Sequence, residues 1–263
     1  MKGEDIMKKY MALIMATCFI ISMSACAAQE NENLQTQEGE KTELMDEEKN
    51  NDTIKLKGVA TKLFEAEYPE MVQYPVKDDH TYTFEDFEAW MTSKMERQPE
   101  NKEYQNGIRE FYEITMQEFL KDTQGENKVY SPLNVYVALA MLAETTDGES
   151  RQQILDLLHT DSIETLRNNA SILWNANYCD DGTVNSLLAS SVWLSDKLKY
   201  NENTLKTLAD NYYASSFSGS MGSAEYNKML QDWLNEQTGG LLEEQAENVQ
   251  MDPLTVFGLA TTV

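Results

Sequence analysis

Cysteine, histidine and basic residues are scarce in this chain of 263 residues. It has three cysteines and two histidines, and neither His80 nor His159 has a cysteine or a second histidine at the spacing of a metal site. Metal centres, disulfide frameworks and cofactors are therefore not expected. Lys and Arg number 21 against 45 Asp and Glu, which leaves a net charge of −24. Such a surface repels phosphate backbones, so nucleic acid is not expected as a partner.

Groups that could do catalysis are also few. Cys179 lies beside Asp180 and Asp181, and nearby carboxylates raise the pKa of a thiol, which is the wrong direction for a nucleophile. Gly219 to Gly222 lacks the lysine of a phosphate-binding loop. No nucleophile and base pair is visible, although scattered acids leave a carboxylate pair for glycoside hydrolysis open. The chain is predicted not to be an enzyme.

The first 26 residues have the order of a secretory signal peptide. Lys8 and Lys9 precede an apolar run from Met11 to Ile21, and small residues precede Cys26. The run Met23-Ser-Ala-Cys26 resembles the lipobox of bacterial lipoproteins, with Met23 where leucine is preferred. We predict a signal peptide over residues 1–26, lipid attachment at Cys26, and a lipid-anchored protein on the extracellular side of the cell surface. The alternative is an uncleaved membrane anchor.

Residues 27–53 are predicted to form a disordered acidic linker. From Ala28 to Thr53 the chain has no aromatic residue and carries nine acids against two lysines. Such a segment cannot bury enough apolar surface to offset its ordering entropy. With Cys18 in the signal peptide and Cys26 lipid-modified, only Cys179 remains, so the fold depends on packing and not on disulfides.

Residues 54–107 are interpreted as an N-terminal extension of a folded domain. Thr83 is predicted to cap a short helix with Asp86 in its first turn, and loops are expected on either side. The apolar face of this helix consists of Phe84, Phe87, Met91 and Met95.

Residues 108–263 alternate helical and strand patterns. Ser131-Pro132 predicts a sharp helix start before an almost wholly apolar segment, which is typical of a helix in the protein interior. Val184–Leu194 predicts a strand buried on both faces, and the serine- and glycine-rich residues 215–223 predict a connection. Further helices are predicted around Ile108–Phe119, Arg151–His159 with a Ser150–Gln153 capping box, Ser162–Asn177, Leu205–Tyr212 and Tyr226–Gln237. Leu254–Val263 has no charge and predicts an interior strand, whose pairing partner is expected in following chain.

Two blocks of this sequence resemble the serpin family. The first is Asn127-Lys-Val-Tyr-Ser-Pro-Leu-Asn-Val-Tyr-Val-Ala-Leu-Ala-Met-Leu142 with Asp147-Gly-Glu-Ser-Arg-Gln-Gln-Ile154. The second is Trp233-Leu-Asn-Glu-Gln-Thr-Gly-Gly-Leu-Leu242 with the strand Leu254–Val263. The resemblance implies an α+β fold: a serpin-like helical N-terminal half with strands of a large central sheet, incomplete over residues 108–263 and truncated within a sheet strand.

The resemblance also implies a function and a set of site residues. Serpins are suicide inhibitors of serine or cysteine proteases, whose cleaved reactive loop inserts into the main sheet. That loop would lie after Val263, so it is expected to be absent from this chain. A shutter-like polar cluster is expected from Ser131, Asn134 and Thr261, with Asn134 in place of the family's serine and Thr261 in place of its asparagine. Gln231 likewise replaces an asparagine.

The expected partners follow from the same resemblance. They are an extracellular serine or cysteine protease, and the membrane through the lipid anchor only. The helix at Ser162–Asn177, which looks like the heparin-binding helix of some relatives, has Arg167 as its only base, so heparin is not expected to bind. The alternative function is a non-inhibitory, serpin-like binding lipoprotein of the cell surface.

Overall fold

The computed structural model of the chain describes residues 60–75, 83–97, 105–121 and 125–263. The predicted signal peptide, Cys26, the acidic linker and His80 lie outside these ranges. Within them, no helix combines the length and the apolar character needed to cross a bilayer.

The described residues contain eight helices and six strands. The strands are β1 (Thr61–Phe64), β2 (Cys179–Asp180), β3 (Asn185–Ser186), β4 (Ala189–Ser195), β5 (Ala214–Gly219) and β6 (Phe257–Thr262). The helices are α1 (Phe84–Glu96), α2 (Gln105–Leu120), α3 (Pro132–Thr145), α4 (Gly148–Leu157), α5 (Ile163–Asn177), α6 (Glu202–Tyr212), α7 (Ala224–Gln237) and α8 (Glu243–Ala246).

A mixed sheet of four strands in the order β1-β5-β4-β6 organises the fold. The central strands β4 and β5 are parallel, and the outer strands β1 and β6 run antiparallel to their neighbours. Strands β2 and β3 form a separate hairpin. Because every residue of β4 and β5 is buried, both faces of the sheet are covered, as the apolar pattern around Val192 predicts.

The two faces of the sheet belong to two different cores. Val192 and Leu194 pack into a large cluster with the helices α2 to α6, whereas Trp193, between them in sequence, packs into a second cluster with α7. The alternation follows from the two-residue period of a strand. One sheet therefore separates a helical layer on one side from α7 on the other.

Several predicted helix starts are confirmed. Thr83 and Asp86 form a reciprocal capping box at α1. The Ser131 side chain accepts a hydrogen bond from the Asn134 N–H at the start of α3, with Pro132 in the first turn, and Ser162 caps α5 in the same way. Glycines follow α7, where Gly239 and Gly240 both have positive φ.

Two local predictions are wrong. Helix α4 is capped by Asp147, whose carboxylate accepts from the Gly148 N–H, and not by Ser150, since Asp147 reaches the free N–H groups first. Residues 215–219 are not a connection but belong to strand β5. Small serine side chains suit a strand enclosed by two layers, and pairing with β1 and β4 satisfies its backbone on both edges.

Other boundaries are shorter than predicted. The strand expected over Val184–Leu194 is β4 at Ala189–Ser195, and Asn185 and Ser186 belong to the hairpin. The last strand begins at Phe257, and Leu254 is 74% exposed. Strand β1, within the predicted N-terminal extension, was expected to be loop.

Candidate functional site: the β4–β6 half of the sheet

Strand β6 occupies one edge of the sheet in the described part of the chain. It pairs antiparallel with β4 over six consecutive positions, from Leu194 opposite Phe257 to Ala189 opposite Thr262. Its other edge has no strand partner among the described residues. Such an edge presents N–H and C=O groups that can pair with an added strand.

The two faces of β6 have different neighbours. Leu259 and Phe257 pack against the helical cluster that contains α3, whereas Ala260 packs against the cluster of α7. Thr261 has the same parity as Leu259 and lies opposite Ser190 of β4. The side chains of Thr261 and Ser190 therefore share the face that is turned toward α3.

The structure brings two of the three predicted cluster residues together directly. Ser131 Oγ accepts a hydrogen bond from the Asn134 N–H at 3.3 Å, which caps α3. Helix α3 packs on the β6 face to which Thr261 belongs. In the described residues, however, no hydrogen bond joins Thr261 to the side chain of Ser131 or Asn134. The start of α3 and Thr261 of β6 therefore lie on the same side of the sheet without a direct hydrogen bond between them.

Helix α7 packs on the face of the sheet opposite to α3. The Tyr226 hydroxyl donates to the Leu194 carbonyl and accepts from the Leu194 N–H, both at 3.1 Å. Its ring lies against Gly219, where an added Cβ would come within 2.7 Å of the ring carbon Cδ2. Burial raises the pKa of Tyr226, so its hydroxyl stays neutral and keeps its proton to donate.

The same helix also positions the chain that leads into β6. Gln231 Nε2 donates to the carbonyl oxygens of Glu247 and Val249 at 3.2 and 2.9 Å. Asn227 Oδ1 accepts from the Met251 N–H at 2.9 Å. Gln231 thus links α7 to the segment that connects it with β6. If β6 moved away from β4, these hydrogen bonds would have to break or move with it.

The only base of helix α5 is already paired. Arg167 donates to both carboxylate oxygens of Glu144, at 2.8 and 2.9 Å, and Glu144 also accepts from the Tyr212 hydroxyl at 2.8 Å. The Glu144 side chain is 6% exposed, so this ion pair is an internal link between α3, α5 and α6. Burial, followed by the neighbouring Glu144, raises the pKa of Tyr212. Arg167 is therefore not available as a surface base.

Other candidate groups lie apart from this half of the sheet. Burial raises the pKa of the Cys179 thiol, and Asp181 raises it further, in the direction expected from the sequence. His159 Nδ1 lies 3.7 Å from a carboxylate oxygen of Glu110. Throughout the described ranges, no group of three or more histidine, cysteine, aspartate or glutamate side chains is arranged to hold a metal ion.

Sequence reasoning missed three contributors to the site. Ser190 contributes by its position opposite Thr261, whereas Tyr226 and Asn227 contribute hydrogen bonds to the backbone. The sequence indicated only where they lie. Ser190 is within the predicted buried strand, and Tyr226 and Asn227 come about one helical turn before Leu230 in the predicted helix.

Comparison with known proteins agrees with this architecture. A family model described as "Serpin (serine protease inhibitor)" matches residues 106–263. The chain is 24% identical over 188 residues to Alpha-1-antitrypsin 1-5 of Mus musculus, which covers 70% of this chain and 45% of that protein. It is 25% identical over 138 residues to Serpin-ZX of Arabidopsis thaliana, which covers 51% of this chain and 35% of that one. The chain thus spans less than half the length of these curated relatives.

Solved structures have the same fold over the matched part. The native state of the thermophilic serpin tengpin aligns with a TM-score of 0.55 at 22% identity, over 62% of this chain and 41% of tengpin. Arabidopsis AtSerpin1 aligns with a TM-score of 0.51 at 22% identity, over 61% and 44% of the two chains. The predicted α+β, serpin-like partial fold is confirmed. Because the family model covers more than half of the sequence, the chain belongs to the serpin family.

Proposed function

We propose that this protein is part of a serpin-type inhibitor of serine or cysteine proteases, anchored to the outer surface of the cell through Cys26. Serpins are mostly inhibitors and not catalysts, and the family of this chain supports the coarse function of protease inhibition. One observation supports the mechanism in particular: β6 is a strand of the main sheet that pairs with β4 over six consecutive positions, within the residues that match the serpin family. In the proposed mechanism, a cleaved reactive loop adds a strand beside β6.

The residues around β6 have defined roles in this proposal. Thr261 and Ser190 lie on the face toward α3, so rearrangement of the helix start at Ser131 and Asn134 would accompany any sliding of β6. Tyr226, Gln231 and Asn227 hold α7 against β4 and against the segment before β6. Opening of the sheet would therefore require α7 and its connection to shift.

The decisive experiment is complex formation with proteases. The protein isolated from the cells that make it is incubated with a panel of serine and cysteine proteases and separated in detergent. We expect a covalent complex that survives detergent with at least one active protease. The matched control is the same protease with its nucleophile chemically blocked, which should give none. Cleavage of the protein without any such complex would contradict inhibition.

A second function is a non-inhibitory, serpin-like surface binding protein. It is favoured by Asn134 and Thr261, which stand in place of the serine and the asparagine of the family's polar cluster beneath the sheet. The two functions predict different outcomes of the same experiment: a binding protein would be cut in its loop and would release active protease.

Anchoring is tested separately. Lipid attachment requires the Cys26 thiol, so Cys26→Ala should leave a precursor of larger mass or release the protein from the membrane fraction. Cys179→Ala is the control and should fractionate like the unmodified protein. Unchanged processing and membrane retention of the Cys26→Ala variant would support an uncleaved anchor instead.

A further inference from the structure

Residues 60–75, which we call the strap, lie outside the family match yet are bound along the matched domain. Strand β1 of the strap pairs antiparallel with β5, with Thr61 opposite Ser218 and Phe64 opposite Ser216. After β1, the Ala66 N–H donates to Ser215 Oγ at 3.1 Å. The strap therefore occupies the sheet edge opposite to β6 through backbone pairing, and its Leu63 and Phe64 pack against the helical cluster.

A side chain of the strap fills an aromatic slot next to this edge. The slot consists of Trp174 and Tyr178 at the end of α5 and Tyr213 after α6, and its rings stack at 4.4 and 3.6 Å between centroids. The Tyr68 ring lies 5.7 Å from Trp174 and 5.6 Å from Tyr178. Its hydroxyl donates to Gln237 Oε1 of α7 at 3.4 Å. Tyr68 is thus the anchor of the strap.

One residue of the slot, Tyr213, has a strained backbone conformation. Tyr213 has φ 50° and ψ 42°, in the left-handed region that is a true outlier for a bulky residue. Glycine or asparagine is the usual residue at such a helix end. Tyr213 instead places a ring on Trp174, and Asn175 Nδ2 donates to its hydroxyl at 3.3 Å. Backbone strain of this kind tends to occur where a ligand is held.

The far end of the strap is fixed to the β2–β3 hairpin. Gln73 Nε2 donates to the Asp180 carbonyl at 2.7 Å, and the Tyr74 N–H donates to the Asp181 carbonyl at 2.6 Å. The strap thus binds by strand pairing, one aromatic anchor and backbone contacts at its end. This is the pattern by which proteins bind extended peptides at a sheet edge.

We propose that the β5 edge and the aromatic slot together form a binding site for an extended, tyrosine-bearing segment, which the strap fills within one chain and which the strap of a second copy fills once the first is displaced. Strand β5 is buried along its whole length, so loss of β1 would leave a row of unpaired backbone N–H and C=O groups, which is a template for another strand. The segment that fits the edge and the slot best is the same segment of an identical chain, and exchange of identical elements is a low-cost route to dimers. This proposal does not rest on protease inhibition.

The test uses two full-chain variants that lack opposite halves of the contact, and it measures mass in solution by light scattering across a wide range of concentration. Tyr68→Ala removes the anchor of the strap but keeps the slot, whereas Tyr213→Gly removes one ring of the slot but keeps the strap, and glycine suits the positive φ at this position. We expect each variant alone to remain at the mass of one chain and the mixture to reach the mass of two chains, because the intact strap of one copy fills the intact slot of the other. Val72→Ala in place of Tyr68→Ala is the matched control, because Val72 lies in the strap but is 45% exposed; its own strap keeps the slot filled, so that mixture should remain at the mass of one chain.

A synthetic peptide of residues 60–75 completes the test. Added in excess, it should bind the Tyr68→Ala chain at one peptide per chain and return the mixture to the mass of one chain, and the same peptide with Tyr68→Ala should do neither. The proposal is overturned if the mixture stays at the mass of one chain and the Tyr68→Ala chain binds no peptide. It is also overturned if the mixture forms larger aggregates that the peptide does not reverse.

Discussion

At the scale of single residues, Ser131 has a role that can be separated from the proposed opening of the sheet. Its hydroxyl caps α3 by accepting the Asn134 N–H. Ser131→Ala should lower the free energy of unfolding by about 1 kcal/mol, the usual cost of losing an N-cap. Ser131→Thr retains an acceptor and should lose much less, as measured by denaturant unfolding. Equal losses for the two variants would show that the cap hydrogen bond is not the cause.

Two serines on neighbouring strands have opposite expected effects. Ser191 and Ser216 are both fully buried, but Ser191 Oγ accepts from Trp193 Nε1 at 2.8 Å, whereas Ser216 Oγ has no partner among the described residues. An unpaired buried hydroxyl costs free energy. Ser216→Ala should therefore raise the stability by about 1 kcal/mol, and Ser191→Ala should lower it by about as much. Thermal unfolding of both variants checks the sign, and destabilisation by Ser216→Ala would contradict the prediction.

Asp181 predicts a dependence of stability on pH. Burial alone would raise its pKa, but hydrogen bonds from Thr183 and Val184 and the nearby Lys94 outweigh burial and hold the pKa well below its usual value. The carboxylate therefore stabilises the fold at pH values above its unfolded pKa of about 4, and this contribution is lost as the pH falls toward the native pKa. Asp181→Asn should cost about 2 kcal/mol at neutral pH.

The check is urea unfolding of both proteins at several pH values. The difference in the free energy of unfolding between them should narrow as the pH drops below about 4. Asp180→Asn, at an exposed neighbouring position, is the control and should change little at any pH. A difference that stays constant down to low pH would contradict the role of the Asp181 charge.

At the scale of elements, Tyr226 of α7 makes two hydrogen bonds to the backbone of β4. Tyr226→Phe removes both bonds to the Leu194 backbone while keeping the ring that packs against Gly219. We expect a loss of about 2 kcal/mol and faster hydrogen exchange at the Leu194 amide. Tyr178→Phe is the matched control in another buried cluster. If the Leu194 amide exchanged equally slowly in both variants, Tyr226 would not be the link.

Elements differed in how far the sequence could predict them. The helix starts at Ser131-Pro132 and at Thr83–Asp86 could be predicted, because capping depends on residues a few positions apart. Strand β5 was missed because its serines have the composition of a loop, and only pairing with β1 and β4 makes them a strand. Tyr226 and Asn227 were missed for the same reason: their partners, Leu194 and Met251, are 32 and 24 residues away.

At the scale of the whole molecule, the net charge of −24 should act on the rate of encounter. Under the proposed function, a protease with a basic surface should associate faster at low salt, by roughly tenfold or more, because screening weakens steering. An acidic protease with the same cleavage preference is the control and should associate faster as salt increases. Stopped-flow association rates at several salt concentrations measure both. The same salt dependence for the two proteases would contradict steering by net charge.

The four tryptophans of the chain fall into two groups. Trp90 donates its indole N–H to Asp181, and Trp174 forms the floor of the slot for Tyr68. Trp193 of β4 lies 6.4 Å from Trp233 of α7, and it is opposite Gly258 of β6. Intrinsic fluorescence therefore contains two local reporters. Replacing Trp193 and Trp233 with phenylalanine would leave emission from the slot and its surroundings, and replacing Trp90 and Trp174 would leave emission from the contact between β4 and α7, so the two regions could be observed optically in one protein without an added dye.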